Sequence, residues 1–233
     1  MISALPAYLI LSFAGTTLAT LLLFLWAHRS AGHGGTLKVG AVLCAWLLLQ
    51  ALLPLYGIYS RDTASFPPKI MLLGIFPALL FILLLFATGK GRHYTDSLPL
   101  KQLTWLHTIR IPVELVLYGL FLHKEVPRLM TFEGRNFDIF AGISAPLVAW
   151  LFFDRKRIGR KGLLAWNIVS LGLLLNIVVH ALLSAPSPIQ QFAFEQPNIA
   201  LLYFPFSWLP VFIVPVVLLA QLASIRRLYR SSL

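Results

Sequence analysis

Apolar residues run through this chain in long blocks, with neither the alternation of a half-buried strand nor the opposed polar face of a surface helix. The stretch Ile75–Ala87, IFPALLFILLLFA, shows the pattern. A helix that crosses lipid needs roughly 20 mostly apolar residues, because the hydrocarbon offers no partner to a backbone N–H or C=O. Seven stretches reach that length, at approximately 4–27, 39–59, 70–88, 103–123, 137–153, 163–183 and 199–223. A membrane barrel would alternate lipid-facing and lumen-facing residues in runs of about 10, and these blocks do not. The pattern predicts an all-α, polytopic membrane protein: one bundle of seven transmembrane helices over residues 1–233. The fifth stretch is the shortest and contains Asp138, Ser144 and Pro146.

The spans leave only short connections, so no soluble domain is expected. Ser184–Asn198, SAPSPIQQFAFEQPN, is the longest loop, and its prolines oppose a long helix. It reads as a surface loop or as a re-entrant lid carrying Phe192 and Phe194. No Lys or Arg precedes the first span and its apolar run is longer than that of a signal peptide, so it is expected to be retained. A faint echo links 1–100 to 137–233. Phe13-Ala14-Gly15 matches Phe140-Ala141-Gly142, Ala45-Trp46 matches Ala165-Trp166, and the segments from Pro68 and Pro197 are alike. This is the pattern of a parallel three-plus-one-plus-three repeat joined by helix 103–123.

Composition sharpens this reading. Apolar residues make up 58% of the 233 positions and charged residues 12%, while 19 Lys and Arg against 8 Asp and Glu leave a net charge of +11. So basic a chain suggests nucleic acid only where its cations share a solvated face, and here they lie between the apolar blocks. Thirteen of them fall in one alternate set of connections and at the C-terminus, five in the other set, and Arg110 falls within a span. Cations collect on the cytoplasmic side, which predicts a cytoplasmic C-terminus and an external N-terminus. The basic segments Arg155–Lys161 and Arg226–Arg230 suit anionic lipid headgroups. Membrane lipids are thus the expected partners, with no nucleic acid and no protein partner that the sequence names. Cys44 is the single cysteine, so no intramolecular disulfide can form.

Ionisable groups inside a span are costly and face protein or water, never lipid. In the fourth span His107, Arg110, Glu114 and Tyr118 fall within a sector of about 80° at 100° per residue, forming one stripe. Glu114 lies about 14 Å into its helix at 1.5 Å per residue, and Arg110 stands one turn away with Pro112 between them. Three readings stay open: an Arg–Glu pair that neutralises itself and fixes helix packing, a substrate anchor or proton-accepting carboxylate, or a span whose boundary lies elsewhere. A second stripe comprises Ser170, Asn176, His180 and Ser184. Tyr56, Tyr59, Arg61, His123, Glu133, Arg135 and Asp138 are expected on the external side. Together they suggest a pocket open to the outside with Tyr56, Arg61, Glu133, Arg135 and Asp138 at its rim. Arg110, Glu114, His107, Tyr118, Asn176 and His180 would line its depth. Both signs of charge suit a zwitterionic ligand.

Other chemistries fit less well. Retinal photochemistry needs a lysine in the last helix, and none follows Lys161; H-E-x-x-H and C-x-x-C are absent. A metal site would draw on His123, His180 and Glu133 or Asp138, and a hydrolase on Ser144 with His180 as base, without an identifiable oxyanion donor. No cofactor is expected. The stretch His107–Pro146, HTIRIPVELVLYGLFLHKEVPRLMTFEGRNFDIFAGISAP, resembles a group of uncharacterised bacterial seven-helix membrane proteins, and PNIALLYFPFSWLP at Pro197–Pro210 is a second matching segment. The resemblance implies an integral, multi-pass location in a bacterial inner membrane and carries over no functional residue. The function expected from the residues is binding or transport of a small polar or zwitterionic molecule. The alternatives are an intramembrane hydrolase or metal-dependent enzyme, and a receptor-like or scaffolding subunit.

Overall fold

A computed structural model describes residues 5–230; Ala4, the expected start of the first span, lies outside them. Among the described residues there are helices and turns and no strand. Five helical stretches are long and apolar enough to cross a membrane. These are α1 (Ala7–Ser30), α2 (Thr36–Leu55), a stretch Leu100–Leu122 made of α5 (Leu100–Leu106) and α6 (Arg110–Leu122), α8 (Arg160–Ser184), and Leu209–Arg230, which ends in α9 (Val214–Arg230). Leu residues at 11, 18 and 22 on α1, and Leu48 with Leu52 on α2, are exposed along their outer faces. An apolar outer surface of this kind needs an apolar surrounding.

Two further elements fall where the third and fifth spans are expected. α3 (Phe76–Ala87) is preceded by a π-turn at Met71–Ile75, and together they bend by 93° into α4 (Gly89–Ser97). The sequence of α4, GKGRHYTDS, has no apolar face, so it lies across the end of the bundle, outside the apolar stretch. α7 (Asp138–Ala149) continues as a π-turn through Trp150–Asp154 and stays shorter than the other apolar helices. The expected helix at 199–223 is displaced. Ala200–Leu202 forms one 3-10 turn, a cis Phe204–Pro205 bond follows, and continuous helix begins at Leu209. Pro205 and Pro210, which cannot donate to a helical ladder, account for the shift. Helix 39–59 likewise stops at Leu55, because Gly57 turns the chain at φ +72°.

Proline explains how the bundle is cross-linked. Each proline inside a helix frees the carbonyl four residues earlier, and away from water that carbonyl must find another donor. Pro77 frees Leu73, whose oxygen accepts from Gln50 Nε2 of α2 at 2.9 Å. Pro215 frees Val211, whose oxygen accepts from Trp46 Nε1 of α2 at 3.1 Å. Pro54 frees Gln50, whose oxygen accepts from Ser207 Oγ at 3.5 Å. Trp208 Nε1 adds a fourth tie, to Leu47 O at 3.0 Å. Tyr59 donates to Gln50 Oε1 at 2.5 Å and so anchors the turn that follows α2.

The two ends of the bundle differ. At the basic end Arg226 and Arg230 of α9 both reach Asp96 of α4, at 2.9 and 3.0 Å, while Lys101 meets Asp154 at 2.6 Å. Leu163, Leu228 and Val148 form a small apolar cluster there. The main core surrounds the most enclosed helical stretch, Leu209–Arg230, where 67% of the apolar window is buried, and includes Phe13 against Phe206 at 5.2 Å. At Gly142 a Cβ would meet Ile111 Cγ1 at 2.9 Å and Arg110 Cβ at 3.2 Å. That close approach sets α7 directly against the 110–114 stretch of α6.

Candidate functional site

Helix α6 carries its ionisable residues on an inward face. Arg110 and Glu114 are 2% and 1% exposed. The chain arrives at α6 through a 3-10 turn, His107–Ile109, just ahead of Pro112. α7 runs antiparallel beside it and begins inside the bundle, since Asp138 at its head reaches Arg110 near the middle of Leu100–Leu122. The preceding segment, Thr131–Phe137, descends from the surface to that depth.

Arg110 does not pair with Glu114. Its Nη1 donates to Asp138 Oδ1 at 2.6 Å and to Ser170 O at 3.1 Å, and its Nη2 donates to Gln221 Oε1 at 2.9 Å. Gln221 then donates to Asn167 O at 2.5 Å, and Asn167 donates to Leu163 O at 2.8 Å. Glu114 is held by Asn136, whose Nδ2 lies 2.6 Å from both carboxylate oxygens and 3.0 Å from Met130 O. Asn136 Oδ1 accepts from the backbone N–H of Asp138 at 3.0 Å, which fixes the direction of the amide. Asp138 was expected at the pocket rim. It is buried instead, because the head of α7 supplies the carboxylate that neutralises Arg110.

Above this network lies an open cleft of about 620 Å³ at the end opposite the basic one. It is lined by Arg128, Glu133, Arg135, Glu195 and Gln196 among its polar residues, with Phe121, Pro127 and Leu129. Arg110 and Glu114 are not in its lining, so the expected pocket does not descend to them. Thr131–Asn136 separates the two levels: Glu133, Gly134 and Arg135 face the cleft, and Asn136 faces Glu114. The loop 185–198 closes the other wall, tied by Asn198 N to Ser184 O at 2.9 Å and by Gln196 Nε2 to Val126 O at 2.6 Å.

The remaining expected residues divide. Tyr118 donates to Glu133 Oε1 at 3.0 Å, and Asn176 donates to Arg135 O at 2.7 Å, so both brace the cleft wall. His180 bonds through Nδ1 to Asn176 O at 2.8 Å and stacks on Phe192 at 5.8 Å. His107 is fully buried, edge-on to Trp166 at 5.5 Å, with neither ring nitrogen bonded. Tyr56 and Arg61 are exposed and do not line the cleft. Asn136, Asn167 and Gln221, which complete the network, were not singled out from the sequence. The only signal for them is the presence of uncharged amides at positions the apolar pattern places in or beside spans.

The geometry also bears on the enzymatic readings. Ser144 gives its proton to Phe140 O at 2.7 Å and accepts from Trp166 Nε1 at 2.9 Å, while His180 is engaged along its own helix. Among the described residues no three of His, Cys, Asp and Glu are grouped to hold a metal ion.

Fold and site together define an all-α bundle of long apolar helices, with a buried charge network at its centre and a charged cleft at one end. The chain belongs to the family described as a domain of unknown function, DUF8737, whose match covers residues 67–229. No curated protein and no solved structure matches it. The matched region includes α3 through nearly all of α9, and so the whole network and the cleft.

Proposed function

We propose that the protein is a multi-pass membrane protein that binds a small zwitterionic or polar molecule in the cleft at its external end, and carries it where the helices permit. In this reading the chain makes seven passes. The 70–97 segment is a bent third pass, and α7 is completed by Thr131–Phe137, which enters from the outer surface. The basic end is cytoplasmic, in keeping with its arginines and lysines. The resemblance of 107–146 and 197–210 to bacterial membrane proteins supports a bacterial inner membrane as the location.

The observation that carries the proposal is the chemistry of the cleft. Arg128 and Arg135 line the same concave space as Glu133 and Glu195, and among the described residues none of the four is in an ion pair. Two guanidiniums in a concave wall recognise a carboxylate by forked hydrogen bonds. The neighbouring carboxylates suit a cationic group on the same molecule. Phe121, Pro127 and Leu129 supply the apolar surface that small-molecule sites require. Carriage draws support from the π-turns at Met71–Ile75 and Leu209–Ile213, since such local irregularities in a helix are frequent at functional sites.

Calorimetric titration of the protein in nanodiscs with a panel of zwitterionic amino acids and betaines tests the reading. At least one of them should bind at a single saturable site, and Arg128→Gln with Arg135→Gln should abolish that binding while leaving helical content unchanged. Binding indifferent to both arginines, or none across the panel, would overturn it. Uptake of the bound compound into proteoliposomes separates carriage from binding.

A further inference from the structure

We infer that Glu114 is a proton-binding site whose occupancy controls the wall of the cleft above it; the inference rests on the cleft reading only where ligand affinity is concerned. Arg110 spends Nη1 and Nη2 on Asp138, Ser170 and Gln221, and its one positive charge is matched by Asp138. Glu114 has no cation of its own among the described residues, although it is as deeply buried as Arg110. A buried carboxylate with no counter-ion beside it is strongly disfavoured, so the site calls for a cation from outside the chain.

The atoms around Glu114 decide which cation. Both oxygens face the amide Nδ2 of Asn136, and Asn136 Oδ1 is turned away to the N–H of Asp138. A metal ion needs a shell of oxygen acceptors, whereas this shell presents N–H donors. A proton needs only one carboxylate oxygen. The other charged or titratable groups near the site are Arg110 and Tyr118 on its own helix, His107 in the turn below, and Asp138 on α7. Arg128 and Glu133 lie beyond them in the cleft. From α1, packed on the far side, no titratable residue intervenes between Tyr8, which is exposed, and His28 at the basic end.

The consequence reaches the cleft through one residue. An amide NH₂ has two protons, yet Asn136 Nδ2 stands within reach of three acceptors: Glu114 Oε1, Glu114 Oε2 and Met130 O. Protonation converts one carboxylate oxygen from acceptor to donor, and the two-oxygen contact with Asn136 is lost. Asn136 follows Glu133-Gly134-Arg135 directly, so its release loosens the wall that carries Arg135. A route for the proton starts in the same place. Tyr118, one turn above Glu114 on the same face, is hydrogen-bonded to the exposed Glu133 at 3.0 Å. The proton enters from cleft water and returns to it, and no other bond is made or broken.

Two measurements on the protein in nanodiscs test this without any ligand. The first is infrared difference spectroscopy on protein labelled with carbon-13 glutamate, which should show a protonated-carboxyl band that appears on acidification, carries the isotope shift and is lost in Glu114→Gln. The second follows a nitroxide attached at Arg135→Cys in a Cys44→Ala background. Its mobility should rise over the same pH range, with that response lost in Glu114→Gln and displaced in Glu114→Asp. If Glu114→Gln does not fold, the same spectra on a chain with Glu125→Gln, Glu133→Gln and Glu195→Gln, which leaves Glu114 as its one glutamate, still decide. Absence of any titrating band assignable to Glu114, a Glu114 band that follows sodium or potassium instead of pH, or a nitroxide response that persists in Glu114→Gln would overturn the inference. A proton response at Glu114 in a protein that binds no zwitterion would leave this site standing and refute the cleft reading alone.

Discussion

Arg110 shows how far residue chemistry can be read before a structure exists. The helical period places His107, Arg110, Glu114 and Tyr118 on one face; the first three are buried, and Tyr118 is half-exposed at the cleft. The partner of Arg110 was not legible, because the competing carboxylates lie 4 and 28 positions away in sequence and only the second has its helix head at the right depth. Asp138 reads as a surface residue at the start of a short span until Gly142 is seen to press α7 onto Ile111. The pairing makes a quantitative prediction. Arg110→Met leaves Asp138 charged and unpartnered, and should cost about 3–5 kcal/mol. Arg110→Met with Asp138→Leu removes both charges and should regain most of that loss. Thermal unfolding of the two variants in detergent checks it; equal destabilisation by both would mean that the ion pair is not what the network depends on.

At the scale of elements, the apolar blocks were legible because lipid-length helices leave a simple pattern, and proline set the departures from it. Pro54, Pro77 and Pro215 announce freed carbonyls in the sequence, but the donors that meet them, Ser207, Gln50 and Trp46, come from other elements and carry no periodic signal. The displaced start of the last helix follows the same logic at Pro205 and Pro210. α4 presents a different case, since its polar sequence takes it out of the apolar stretch and its attachment is ionic. Burial by itself would push the Asp96 carboxyl up, but the hydrogen bonds and charges of Arg226 and Arg230 outweigh it and hold it below the usual carboxylate range. A carboxylate lowered by folding stabilises the folded state at pH above its unfolded value, and that contribution fades as pH falls through the folded value. Asp96→Asn should therefore lower stability by about 1 kcal/mol near neutral pH, and by progressively less in acid. Melting curves of both proteins across pH check this, and a difference that grows on acidification would contradict the clamp.

On the scale of the whole molecule, the cations divide the chain into a basic end and a cleft end, and the structure gives each a distinct task. The basic end fastens α4 to α9 and Lys101 to Asp154. The opposite end places Arg128, Arg135, Glu133 and Glu195, none of them in an ion pair among the described residues, around a cleft of about 620 Å³. The pocket expected from the sequence ran from the surface to Glu114. In the fold these are two levels separated by Thr131–Asn136, one open and one enclosed, and no pattern of apolar and polar positions could reveal that partition. The central claim is that the open level is where a ligand sits. A cryo-electron microscopy map of the protein purified from its native membrane without added ligand tests it most directly. The account predicts density for a small molecule with its acidic group between Arg128 and Arg135; a small molecule bound elsewhere in the bundle, with those two arginines contacting only water, would contradict it.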